Sequence, residues 1–123
     1  MIAGAVTEWD PKVELTIIGP TETITEEAVV DTGYNGDLAL SAEMIQRLRL
    51  RYLAVGKATL ADGSSSRSTI FDALVLWDGE ERSVNVYEMG SETLIGMGLL
   101  SGFRLIVESV SGEGSLTIER LSV

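Results

Sequence analysis

The chain contains no cysteine and no histidine. Those two absences remove disulfides, Cys nucleophiles and Ser-His-Asp triads, along with zinc sites built on Cys or His. Acid–base chemistry is left to carboxylate, Lys or Tyr. Positive charge is also scarce, with 9 Lys and Arg against 19 Asp and Glu, a net charge of −10. Phosphate binding needs clustered Lys and Arg, so nucleic acid is not an expected partner. An anionic membrane surface is disfavoured for the same reason. No stretch approaches the roughly 20 apolar residues of a membrane span. Met1 to Asp10 lacks the basic start and long apolar region of a secretory signal, so a cytoplasmic location is the expectation.

What is present fits one globular unit. A chain of 123 residues with 45% hydrophobic content is long enough for a single domain, residues 1–123, with its own core. The acidity itself reads as solubility. Lys12 to Ile18 alternates, with Val13, Leu15 and Ile17 on one face and Lys12, Glu14 and Thr16 on the other, as a half-buried strand does. Gly19-Pro20 turns this strand back into Thr21 to Val30. Ser41 to Leu48 is the best helix: Ser41 suits the N-cap and Glu43 the first turn. Met44, Ile45 and Leu48 form its apolar stripe, and Glu43 and Arg47 an i,i+4 pair.

The second half reads as hairpins. Lys57 to Leu60 and Ser68 to Trp77 flank a polar tip around Asp62-Gly63, and Ser64-Ser65-Ser66 reads as a solvated part of that tip. Ile70 to Trp77 is apolar on both faces and is expected to be buried on both sides. Asp78-Gly79 turns into Ser83 to Tyr87. Thr93-Leu94-Ile95 is a short strand stopped by Gly96, and Met97 to Leu100 suits a helical turn. Arg104 to Val110 and Ser115 to Leu121 are strands joined by Ser111 to Gly114. Many short strands with one convincing helix specify an all-β barrel or folded sheet. Trp9 and Trp77 read as core or dimer anchors. Glu22, Glu26 and Glu27 read as a solvated face and not as a metal site.

One segment breaks the pattern of ordinary strand ends. Val29-Val30-Asp31-Thr32-Gly33 runs an apolar strand into a carboxylate, a hydroxyl and a glycine, and so presents a single acid at one point. The order strand, glycine, helix is echoed by Leu94-Ile95-Gly96 and Met97 to Leu100, without the acid.

These residues resemble the retropepsin-like (clan AA) aspartic proteases. The likeness lies in Val30-Asp31-Thr32-Gly33 with a helix soon after, the Thr59-Leu60-Ala61-Asp62-Gly63-Ser64 hairpin, and Leu94-Ile95-Gly96-Met97-Gly98-Leu99-Leu100. It runs roughly from Val13 to Ile118 and is nearest to the small prokaryotic single-domain members. The resemblance implies an acid-protease barrel with a short helix after the active loop and a short C-terminal helix. It implies that Asp31 is the catalytic carboxylate, that Thr32 hydrogen-bonds across a dimer, and that Gly33 turns the loop and brings its N–H near a carboxylate. Leu94, Ile95 and Gly96 would pack around that loop. Leu60 to Ser68 would be the flap, with Ala61, Asp62, Gly63 and Ser64 near substrate.

Hydrolysis by carboxylates needs two of them close together. Two like charges so placed cannot both ionise, and the pair shares a proton. One carboxylate then activates water while the other donates to the carbonyl oxygen. The chain has a single such motif, so the second carboxylate is expected from Asp31 of another copy on a two-fold axis. The expected function is a homodimeric aspartic endopeptidase acting on peptide or protein, without a metal or organic cofactor. Retropepsins usually carry alanine after Asp-Thr-Gly; here Tyr34, followed by Asn35-Gly36, is placed to line, narrow or block a subsite. The alternatives are a homodimeric module of the same fold that holds a peptide without cleaving it, and a self-processing domain cut from a larger chain. The terminal segments are the candidates for the dimer sheet, because exposed strand edges need partners.

Overall fold

The computed structural model describes residues 1–59 and 61–122. Leu60, expected to end a strand and begin the flap, lies outside the described residues. Among those described, ten strands and two short helices follow in the order β1 (Ile2–Thr7), β2 (Asp10–Ile18), β3 (Thr23–Val30), β4 (Leu38–Leu40), α1 (Ala42–Leu48), β5 (Arg51–Thr59), β6 (Ser65–Trp77), β7 (Glu80–Glu88), β8 (Leu94–Ile95), α2 (Met97–Leu100), β9 (Phe103–Val110) and β10 (Glu113–Arg120). All ten strands join one mixed sheet in the order β5-β6-β7-β4-β8-β3-β2-β1-β10-β9, and β6 also pairs with β2. That extra ladder, Thr16 to Ile18 against Leu76 to Leu74, folds the sheet over its core. The fold class is all-β, as the pattern of short strands predicts. No helix among the described residues is long and apolar enough to cross a membrane.

Local sequence explains most elements. The alternation of β2 places Val13, Leu15 and Ile17 in the core. Gly19 donates its N–H to Glu22 O at 2.9 Å to close the turn into β3. Ser41 caps α1 by accepting from the Met44 N–H at 3.2 Å, and Arg49 ends the helix in the left-handed region. The Asp78-Gly79 and Ser111-Gly112 tips are two-residue turns with positive φ throughout, the geometry that suits the twist of paired strands.

Four expectations change. β1 and β4 are strands that show no periodicity in sequence. β6 is not buried on both sides: Ala73, Val75 and Trp77 point inward, while Leu74 and Leu76 are 38% and 43% exposed. Only the inner face meets the core, because the sheet folds over one side of β6. Trp77 is core, but Trp9, at 75% exposed, is not core within the chain and keeps only its reading as a dimer anchor; its backbone N–H donates to Gly112 O at 2.9 Å and joins two hairpin tips. Finally, the terminal strands find partners within the chain. β1 lies between β2 and β10, and β10 between β1 and β9. The open edges among the described residues are β5 and β9.

Candidate active site

The two strand–glycine segments that echo each other in sequence lie side by side. β3 and β8 pair in parallel, Val29 with Leu94 and Val30 with Ile95. β4 returns on the other side of β8, with Leu38 opposite Ile95. The Asp31 loop connects β3 to β4 and is therefore held over the C-terminal end of β8. The Asp31 N–H donates to Ile95 O at 2.8 Å. Ile95 is fully buried, which fixes the far side of that bond in the core.

Asp31 is half-buried and Thr32 is exposed. The Gly33 N–H donates to Asp31 Oδ1 at 2.9 Å, so the loop orients its own carboxylate. The Tyr34 N–H donates back to Asp31 O at 3.1 Å and closes a tight turn. The loop is then tied to α2 by Met97 N–H to Tyr34 O at 2.7 Å and Gly98 N–H to Gly36 O at 3.1 Å. Gly96 N–H donates to Asp37 O at 3.1 Å. A Cβ on Gly96 would stand 2.1 Å from Gly36 O and 2.7 Å from Tyr34 O; glycine is required there because two backbones meet. The Asp37 carboxylate is engaged elsewhere, since its Oδ2 accepts from the Asn85 N–H at 3.0 Å.

Tyr34 does not stand as an open subsite wall within the chain. Its side chain is 2% exposed and lies in a small apolar cluster with Ala39, Tyr87, Met89 and Leu94. The hydroxyl donates to Leu38 O at 3.4 Å. Burial, with Tyr87 and Asp37 nearby, pushes this hydroxyl well above the ordinary tyrosine range. The signal for this inward turn was available in Gly36 and Gly96. Asn35 is exposed beside it.

The β5–β6 hairpin arches over the loop. A Cβ on Gly33 would fall 2.7 Å from the Ala61 Cβ, so the hairpin tip rests against the turn that carries Asp31. Asp62, Gly63 and Ser64 remain exposed. Asp62 Oδ1 accepts from both the Ser64 N–H, at 2.9 Å, and the Ser64 hydroxyl, at 2.5 Å. Those bonds hold the carboxyl below its ordinary range and shape the tip. Thus Asp31, Thr32, Gly33, Leu94, Ile95, Gly96 and Ala61 converge, whereas Asp62 to Ser64 face solvent. No group of His, Cys, Asp or Glu suited to a metal occurs among the described residues; Glu22 pairs with Arg47, Glu27 with Lys12, and Glu26 accepts from Thr93.

The fold is all-β and retropepsin-like. Among solved structures, the crystal structure of a retropepsin-like aspartic protease from Rickettsia conorii is similar over 97% of this chain and 95% of that one, with a TM-score of 0.55 and 20% sequence identity. No family model and no curated protein sequence matches the chain.

Proposed function

We propose that the chain is an aspartic endopeptidase that works as a homodimer, two Asp31 carboxylates activating one water between them. The observation that carries this reading is the Asp31 loop itself. On a retropepsin-like fold, a half-buried aspartate has one oxygen engaged by the Gly33 N–H and its backbone fixed to buried Ile95. One carboxylate removes a proton from the water, and the other donates a proton to the carbonyl oxygen of the peptide. Exposed Thr32 is the residue assigned to cross the two-fold axis. The partner surface we assign is the β9 edge. Its residues Ile106, Val107 and Val110 are exposed, and an unpaired apolar edge is a surface that pairs with another strand.

The test is cleavage of a denatured protein and a quenched peptide library from acid to neutral pH, with wild type beside Asp31→Asn. Activity in wild type and its loss in the variant are the expected results. Cleavage by both counts against Asp31 as the catalytic group, and cleavage by neither counts against a peptidase and leaves peptide binding without hydrolysis as the better account. Dilution adds an independent check. Below the dimer dissociation constant the specific activity should fall with concentration, and a specific activity constant to limiting dilution would defeat the two-carboxylate mechanism.

A further inference from the structure

We propose that Tyr34 is a positioning residue that couples the Asp31 loop to the root of the β5–β6 hairpin through Tyr87. This rests on the endopeptidase reading for its kinetic consequence, though not for its structural one. The backbone of Tyr34 is bonded both to Asp31 O and to the Met97 N–H, so its Cα is held between the loop and α2. The ring is bracketed by glycines. A Cβ on Gly36 would lie 2.2 Å from Tyr34 Oη, and one on Gly96 would lie 2.6 Å from Cδ2. The ring thus occupies a slot cut to its shape, separate from the main core cluster that stabilises the sheet.

From this slot the contacts lead to the hairpin. Tyr34 meets Tyr87 edge to face, with centroids 6.1 Å apart and planes at 86°, the geometry aromatic quadrupoles favour. Tyr87 on β7 is in register with Ile70 on β6. Gly56 on β5 lies under both: a Cβ there would stand 2.4 Å from Ile70 Cδ1 and 3.9 Å from Tyr87 Cε2. The hairpin therefore reaches the active loop by two routes, directly at its tip through Ala61 on Gly33 and indirectly at its root through Tyr87 of β7 on Tyr34. A hairpin pinned at both places cannot move over Asp31 without the loop sensing it. Tyr34 is the root-side half of that connection.

The experiment compares wild type, Tyr34→Leu, Tyr34→Phe, Tyr87→Leu and the Tyr34→Leu/Tyr87→Leu pair. Leucine keeps apolar volume and removes the edge-to-face contact. Misplacement of a reacting group by about 1 Å costs on the order of 10²-fold, so Tyr34→Leu should lower kcat by roughly 10- to 100-fold with KM changed much less. Tyr34→Phe restores the ring and with it kcat. The double variant should lose no more than the worse single one, because both lie on one path. Amide exchange supplies a readout that needs no activity. In Tyr34→Leu, exchange should quicken at Met97 and along Ser65 to Ile70, and stay unchanged in β9 and β10. If wild type cleaves nothing, the endopeptidase reading fails while the exchange experiment still decides the coupling. Unchanged exchange in the hairpin, additive losses in the double variant, or a kcat loss that Tyr34→Phe does not restore would overturn it.

Discussion

Gly96→Ala places one methyl group where two backbones meet, and its effect can be worked out from the geometry. The new Cβ would sit 2.1 Å from Gly36 O and 2.7 Å from Tyr34 O. Backbone oxygens cannot swing aside as a flexible side chain can, so the β8–α2 junction and the Asp31 loop must separate by about 1 Å. Overpacking of this kind costs about 1–3 kcal/mol. The separation also stretches Gly96 N–H to Asp37 O and Met97 N–H to Tyr34 O, at about 0.5–1.5 kcal/mol each. The sum is about 2–6 kcal/mol, a large part of the roughly 5–15 kcal/mol that holds a domain together. At about 4 °C per kcal/mol for a domain of this size, thermal unfolding should shift down by roughly 8–24 °C. The measurement is a melting curve of Gly96→Ala beside Ser101→Ala, an exposed position one turn away that should melt with wild type. A Gly96→Ala protein that melted within about 2 °C of wild type would refute the tight junction between loop and α2.

Three further outcomes follow from other parts of the molecule. Burial raises the Tyr34 hydroxyl above its ordinary range, so the neutral ring contributes stability that is complete below about pH 10 and is lost as pH rises beyond it. Melting temperatures from pH 8 to 11 should therefore fall less steeply for Tyr34→Phe than for wild type, and equal slopes would contradict the burial. Ile106→Lys on the exposed β9 edge should shift sedimentation toward the monomer and abolish cleavage without lowering the melting temperature of the dilute protein; an unchanged dimer would exclude this edge as the interface. Ser41→Ala removes the bond to the Met44 N–H and should cost about 1 kcal/mol in denaturant unfolding, with a cost near zero showing that the cap is not formed in solution.

The parts of the fold legible in sequence were those written in local chemistry. Ser41 announced its helix, Asp78-Gly79 its turn, and Val13, Leu15 and Ile17 their face. β4 was not legible, because three buried residues, Leu38, Ala39 and Leu40, carry no period; they become a strand only by lying between β7 and β8. The exposure of Leu74 and Leu76 was hidden for a related reason. An apolar run reads alike whether one face or two are covered, and which it is depends on how far the sheet folds over β6. The partners of the terminal strands are equally non-local, since β1 meets β10 across more than a hundred residues of chain. At the candidate site, Asp31 and Gly33 were visible by residue type, and the pairing of the two echoed segments was foreshadowed by their shared order. The direction of the Tyr34 ring was not read, although Gly36 and Gly96 mark the space it fills.

The inward turn of Tyr34 bears on the proposed two-carboxylate site. Asp31 has its Oδ1 engaged by the Gly33 N–H, and no hydrogen bond reaches Oδ2 among the described residues. Asp37 accepts from Asn85 and Asp62 from Ser64; each is engaged with its own neighbours and neither is hydrogen-bonded to Asp31. One carboxylate with one open oxygen can take a proton from water or give one to a carbonyl, but not both in the same step. In the proposed dimer, a bulky Tyr34 aimed outward would crowd the space that a second carboxylate needs. Folded into a slot between Gly36 and Gly96, the ring packs instead against Ala39, Tyr87, Met89 and Leu94. The bulk that reads in sequence as an obstacle beside Asp31 is therefore buried within the chain.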